Sequence, residues 1–502
     1  MIHHRDTDLS QPLTRRRLLT MAALGAGSVA LAACGGTAAP SASAPTVTGA
    51  VATTAPAGAA PTTAGAAPTT AASGAAAAPT TASAAKPTAA GAAPAAASGK
   101  AKSIKYQQRQ SGAEDFVRKK YAQEFKDKTG TDVVLEDIPD SEYFTKILAL
   151  SAARQLGDLV FGFNSSGYLA SWAFKGITAP LDDFVKTDKY DLKQFFDACI
   201  DACQFEGKLH ALPTVGHPGE INLFYNQDMF DAAGVKQLDD SLTMDMLVED
   251  AKKLTKAGST GGKIDQFGYA SGRSWFQLIV RLRQFGGDIL SPDGKKTLLN
   301  SEGSKAALQW EYDMNYKHKA APTPTQVEGD LDSMFLNGKS LAIYSNNVAN
   351  VTLYRKPIAD KFKWGVQPWP KGPSGSRGAT VHVNVTHITT QSKSPQDAWE
   401  FLKLICGQDA GVQKVLMGSG SPGGRPDVWG DKRLWDFQPW YQKGLAIMGE
   451  AKAPIIAYNL RTPEIDNILI QRTAEIWLNK VTPSQGAESM AKEIQGILDQ
   501  PR

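Results

Sequence analysis

From residue 103 onward the hydrophobic positions switch between two periods. SIKYQQ (103–108) has the short run and alternation of a strand. In EDFVRKKYAQEFKDKTG (114–130) the residues Val117, Tyr121, Ala122 and Phe125 fall on one helical face, and Gly130 supplies a stop. TDVVLEDI (131–138) predicts a second strand, SEYFTKILALSAARQLG (141–157) a second helix and DLVFGF (158–163) a third strand. Strand and helix alternating at this spacing predict parallel sheets with covering helices, an α/β fold. The body from 101 to 502 holds about 400 residues, more than one such core accommodates, so two lobes are expected.

The pattern is lost upstream. Residues 37–100 are almost wholly Ala, Thr, Pro, Gly and Ser, with APTT at 60–63, 67–70 and 78–81 and Lys86 and Lys100 as the only charges. Proline breaks the helix that poly-Ala would favour, and nothing there offsets the entropy of ordering, so 34–100 reads as a disordered tether. Residues 14–20, TRRRLLT, open an apolar run from Leu18 to Ala33. It is shorter than the roughly 20 residues a membrane span needs. A basic start and small residues at the end describe a cleaved export signal over 1–33, with Arg15 and Arg16 resembling the twin-arginine type. Leu31-Ala32-Ala33-Cys34 resembles a bacterial lipobox. The resemblance implies lipid on Cys34 and a place on the outer face of the cell membrane.

Charge narrows the partners. The formal net charge is only +4, so no concentrated basic face argues for nucleic acid. The four cysteines show no zinc spacing, and no metal or cofactor is expected. There is no nucleophile elbow, P-loop, dinucleotide fingerprint or HExxH, so no enzyme is predicted.

Four stretches carry a family resemblance. EGKLHALPTVGHPGEINLFYNQDMFDAAGV (206–235) matches through Gly207, Lys208, Pro213, Tyr225, Asn226, Asp228, Phe230 and Gly234. MFLNGKSLAIYSNN (334–347), SKSPQDAWEFLKLICG (392–407) and QLGDLVFGFNSSGYLASWAFKGITAPLDDF (155–184) follow the same family pattern. Together they resemble the sugar-binding, maltose-binding-protein-like solute-binding proteins of bacterial ABC importers. Gly157-Asp158 and His382-Val383-Asn384 depart from the family's usual Pro-Asp and Gly-Gly.

The resemblance implies a two-lobed periplasmic-binding-protein-like fold (type II), with ligand held between lobes joined by hinge strands. Chain crossings are expected near 216–222, 379–385 and 450–456. Lobe one would be about 101–218 plus 382–450, and lobe two about 222–378 plus 452–502. The implied function is capture of a small polar ligand, above all a carbohydrate, and its delivery to ABC permease transmembrane subunits by a monomer. The alternatives are a tethered carbohydrate-active enzyme and a protein of the same fold for a non-sugar ligand.

A sugar hydroxyl entering a dry cleft needs a polar partner, and the ring's C–H faces need a flat apolar surface. The loop after the first strand offers Gln108, Arg109 and Ser111, the last equally a helix cap. The loop after the third offers Asn164, Ser165 and Ser166, also placed to cap. His217 and Glu220 lie at the first crossing. Trp275 and Asn346 are the lobe-two candidates, Trp275 equally suited to helix core. Alternation puts His382, Asn384 and Thr386 on one strand face and His387 on the other. Arg425, in GSGSPGGRP, clamps ligand or caps a helix. Trp440, with Trp435, forms a stacking platform or seals the core. A disulfide between Cys199 and Cys203 is left open, depending on geometry; Cys406 reads as a buried small hydrophobe.

Overall fold

The computed structural model describes residues 103–110, 113–163, 167–259 and 262–501. Cys34, Ser111, Asn164, Ser165 and Ser166, with the signal and the tether, lie outside them.

The opening elements follow the periodicity. Strand β1 (Ser103–Arg109) is followed by helix α1 (Ala113–Thr129), β2 (Asp132–Ile138), α2 (Tyr143–Ala152) and β3 (Leu159–Phe163). Val117, Tyr121, Ala122 and Phe125 of α1 are all buried, and Gly130 takes the left-handed conformation that ends the helix. After α3 (Asp197–Asp201) come β4 (Leu212–His217) and β5 (Asn222–Asn226), then β6 (Ile264–Ser271), α4 (Trp275–Gln284), α5 (Glu302–Tyr316), β7 (Leu341–Asn346), β8 (Trp364–Pro368) and β9 (His382–Ile388). The chain closes with α6 (Pro395–Ile405), α7 (Gln408–Leu416), α8 (Trp440–Glu450), α9 (Thr462–Trp477) and α10 (Pro483–Leu498).

Two five-stranded sheets result. The first has order β2-β1-β3-β9-β4, with β1 parallel to β2 and β3, and β9 antiparallel to β3 and β4. The second has order β8-β5-β7-β6 and ends on the short strand Lys256–Ala257. Ile279 and Leu282 of α4, Leu308 of α5, Ile465 and Leu469 of α9 and Ile494 of α10 share one apolar cluster. The C-terminal helices therefore pack back beside the second sheet.

The chain passes between the sheets three times: from His217 to Asn222, from Pro368 to His382, and after Glu450. These passages are bonded to one another. Trp369 N–H donates to Ile221 O at 2.9 Å, and Val381 N–H donates to Lys452 O at 3.0 Å. Thr380 and Lys452 form an isolated parallel bridge.

Candidate ligand cleft at the lobe crossings

The site begins with a flaw in a strand. All six residues of β4 are buried, and its register against β9 slips, so that Pro213 faces Val385 and Val215 faces Asn384. Thr214 is the extra residue of this bulge. The Lys414 ammonium, reaching across from α7, donates to the Thr214 carbonyl, and burial pushes its pKa down to about 8. Past the bulge, His217 stands opposite His382, with ring centroids 5.4 Å apart.

Both imidazoles are buried. His217 Nδ1 accepts from Gly219 N–H at 3.2 Å, so this ring is neutral with its proton on Nε2. Burial holds His217 down at about 4 and His382 well below its usual value. Gly219 has φ +75°, and a Cβ there would sit 2.9 Å from Thr380 O and 3.3 Å from His382 Nε2. Only glycine lets the first and second passages lie this close.

Glu220 is buried in the same turn. Its Oε1 accepts from Asn347 Nδ2 at 2.9 Å; Oε2 has no partner. Burial raises its pKa to about 7, with the Asp332 carboxylate adding to the shift. Asn222, fully buried, has neither amide atom bonded, and Thr380 Oγ1 and His382 Nε2 are likewise unpartnered. A buried polar group without a partner costs about 1–3 kcal/mol, and four such side chains on the first two passages and the strands they join are a concentration of such cost.

An aromatic wall closes this corner. At the start of α4, Trp275 stacks on Phe276 with centroids 4.1 Å apart, and the Phe276 ring lies 4.8 Å from that of His382. Trp275 is buried here and serves core and wall together.

On the first sheet, Gln108 Nε2 donates to Asp137, while its buried Oε1 is unpartnered. Arg109 pairs with Asp140 at 3.1 Å and lies 5.1 Å from the Phe161 ring centroid. Asn384 Nδ2 donates to Glu114 Oε1 at 3.2 Å. These side chains are anchored at the strand ends rather than free to swing.

The remaining candidates stand elsewhere. Asn346 Nδ2 donates to Tyr354 OH at 2.7 Å and Asp332 Oδ1 at 3.2 Å, a network inside the second lobe. Its neighbour Asn347 is the residue that reaches Glu220. Arg425 is committed to Asp427 and Gln194 through Nε, Nη1 and Nη2, so it pins its own loop. Trp440 packs against Trp429 and Tyr441, and Trp429 in turn donates its indole N–H to Gly216 O at 3.2 Å. Cys199, Cys203 and Cys406 are free buried thiols, so the structure holds no Cys199–Cys203 disulfide. Cys199 Sγ fills the gap over two glycines: a Cβ at Gly216 would lie 2.6 Å from it and one at Gly424 3.2 Å. Burial raises the pKa of all three thiols.

Sequence reasoning passed over Asn222, Phe276, Asn347 and Thr380. Asn222 and Asn347 lay inside the quoted family stretches, but type and spacing say nothing about whether an amide finds a partner across the fold. Among the described residues no cluster of His, Cys, Asp and Glu is arranged to hold a metal, and no helix is long and apolar enough to cross a membrane.

Among curated proteins the chain is 27% identical over 282 residues to the arabinooligosaccharide-binding protein of Bacillus subtilis, covering 54% of this chain and 62% of that protein. A putative binding protein of Brucella abortus is 24% identical over 247 residues, or 48% of this chain and 57% of the relative. The chain thus spans less than two thirds of the length of either. Among solved structures, an ABC substrate-binding protein of Listeria monocytogenes in complex with cycloalternan superposes with a TM-score of 0.67 at 19% identity, over 80% of this chain and 99% of that one. Such likeness fixes the two-lobed binding-protein fold. The profile of the bacterial extracellular solute-binding proteins matches residues 107–411, from the end of β1 into the first turn of α7 and across two of the three passages, and the chain therefore belongs to that family.

Proposed function

We propose that this protein captures a small, uncharged, polyhydroxylated ligand, a sugar or short oligosaccharide, between its lobes, and delivers it to an ABC permease without chemical change. One observation carries the reading: Asn222, Thr380, His382 and Glu220 present buried polar atoms with no partner at the crossings. Ligand hydroxyls, each both donor and acceptor, satisfy such a mixed set. Both histidines are neutral, and Arg283, the cation that acts on His382, is paired with Asp288 at 2.9 Å, so no unpaired charge there calls for an anionic ligand. The Trp275–Phe276 pair supplies a flat apolar surface for a ring's C–H face. The arabinooligosaccharide and cycloalternan ligands of the relatives agree with this chemistry. Closure of the lobes removes water and strengthens each polar contact.

The protein acts from the outer face of the membrane, exported by the signal over 1–33 and held by lipid on Cys34, with 34–100 as spacer and 101–502 as binding domain. Cys34→Ala is expected to release it from membranes and leave binding unchanged, measured by fractionation.

The ligand assignment is tested by thermal denaturation of the full chain against a panel of monosaccharides, oligosaccharides and polyols. A ligand at 100 times its Kd stabilises by about 2.7 kcal/mol, a readable rise in Tm. A hydroxyl donating to Glu220 Oε2 also favours the ionised carboxyl, so binding near pH 6–7 should release protons, seen by calorimetry in buffers of different ionisation enthalpy. A panel in which no sugar or polyol raises Tm overturns the reading, as does turnover of any glycan.

A further inference from the structure

The bulge in β4 decides which way His217 faces. After it, His382 stands opposite His217, Val383 opposite Gly216 and Asn384 opposite Val215; before it, Val385 stands opposite Pro213 and Thr386 opposite Leu212. Continued without the bulge, the earlier register would set Gly216 opposite His382. His217 would then turn to the other face of the sheet, because side chains alternate along a strand. One extra residue, Thr214, therefore brings the two imidazoles together. Pro213 has no N–H for the ladder, which suits a bulge on this edge strand. The Thr214 hydroxyl donates to Asn384 O at 3.1 Å. Its carbonyl accepts from the Lys414 ammonium of α7.

Lys414 is the one buried lysine among the described residues. Taking an ammonium out of water is costly unless a partner answers it. The charged and titratable groups that act on it are Glu114 and Arg118 of α1 and Cys406 at the end of α6. None of them pairs with it: Glu114 is committed to Arg118 at 2.5 Å and to Asn384 at 3.2 Å, and burial keeps the Cys406 thiol protonated. Among the described residues the Lys414 ammonium makes one hydrogen bond, and that bond goes to the bulge. A methionine or leucine would fill the same space without the cost, so the bond is what the lysine contributes. Past the bulge, Gly216 N–H donates to Pro422 O at 3.0 Å and Trp429 Nε1–H to Gly216 O at 3.2 Å. These outer ties mean that loss of Lys414 loosens His217 rather than dissolving the lobe.

We propose that Lys414 is a positioning residue for the ligand site: its ammonium pins the bulge of β4 and so keeps His217 beside His382 at the crossings. What the two histidines meet rests on the carbohydrate reading given above; where they stand does not. Lys414 acts from behind the sheet and touches no ligand. It works through the Thr214 carbonyl, which holds the one-residue offset between the two halves of β4.

The test is NMR of the full chain with labelled histidines, in the parent, Lys414→Met and Lys414→Gln. Methionine keeps the bulk and removes every N–H; glutamine keeps a neutral donor on a shorter stem. The parent should show a cross-peak between the His217 and His382 rings. Lys414→Met should weaken or lose it, and Lys414→Gln should keep more of it. Calorimetric titration with maltotriose and with arabinotriose should show binding about tenfold weaker in Lys414→Met, with an intermediate loss in Lys414→Gln. Should Lys414→Met fail to fold, the parent decides. His217, held at about 4, does not itself titrate between pH 7 and 9, so a step in its ring signals near pH 8 that Lys414→Gln abolishes reports the ammonium. Glu220 adds a separate step near pH 7, which survives in Lys414→Gln. An undiminished cross-peak in folded Lys414→Met overturns the proposal. So does the lack of a step near pH 8 in the parent where Lys414→Met does not fold. If the parent binds neither trisaccharide, the carbohydrate reading is what fails, and the cross-peak still settles the part played by Lys414.

Discussion

Arg281 and Asn222 are both buried in or beside the second sheet, and their surroundings could hardly differ more. Arg281 is 1% exposed, pairs with Glu311 at 2.8 Å, donates to Gln284, and has its guanidinium 3.5 Å from the Trp369 ring centroid and 4.9 Å from that of Trp310. Asn222 is equally buried and has neither amide atom bonded. The first region is a charge whose own chain has answered it. The second is a set of polar groups the chain has left open. Both are buried polar side chains, so partnership is what separates scaffold from site.

That contrast can be broken in four ways. The largest effect is expected at Arg281. Arg281→Met strands Glu311 without its cation and should cost about 3–5 kcal/mol in a urea titration, with ligand affinity unchanged for whatever protein remains folded. A small loss would mean that the Glu311 pair and the two indole contacts carry little.

Glu220 comes next. Folded, its pKa of about 7 lies above the ordinary 4.5, so the native state holds this proton more tightly than the unfolded chain. Stability should therefore fall as pH rises from 4.5 to about 7, by about 3 kcal/mol in all. Glu220→Gln should flatten that descent in a series of Tm measurements. His217, held at about 4 from 6.5, acts in the opposite sense, and its contribution is lost as pH falls from 6.5 toward 4. The two slopes are separable because only one disappears in the variant.

Asn222→Ala should weaken the ligand found in the panel by about 2 kcal/mol, roughly 30-fold, while the free protein stays as stable or gains slightly. Loss of stability without loss of affinity would move Asn222 to the scaffold side. The smallest effect belongs to Gly219→Ala. Its left-handed φ and the approach to Thr380 O predict a cost of about 1–2 kcal/mol in Tm or urea midpoint, with some weakening of binding because the passages are pushed apart.

The sequence was most informative where physics is local. Val117, Tyr121 and Phe125 mark a helix face because spacing alone decides which side chains share it, and Gly130 ends that helix for a reason written in its own backbone. The crossings at His217–Glu220 and near His382 were legible through the family pattern. Partners were not legible. Asn346 and Asn347 are adjacent amides, yet one bonds inside its lobe and the other meets Glu220. That choice is made by Tyr354 and Asp332, which the fold brings to Asn346. Arg425 was a candidate through the family loop and Trp440 through residue type, and the partners Asp427, Gln194 and Trp429 that the fold sets against them were not legible. Cys199 and Cys203 have the spacing for a bridge, but the gap over Gly216 and Gly424 takes up one of the sulfurs.

The ties among the three passages have a mechanical consequence. A single strand between two bodies leaves them free to swing, twist and slide. Here the first passage is bonded to the second through Trp369 and Ile221, and the second to the third through Val381 and Lys452. Three tethers laced together behave as one strap, which resists shear and torsion and yields most readily by bending across its width. Relative motion of the lobes is thereby reduced toward a single angular coordinate, so ligand needs to select among values of one angle rather than among many poses.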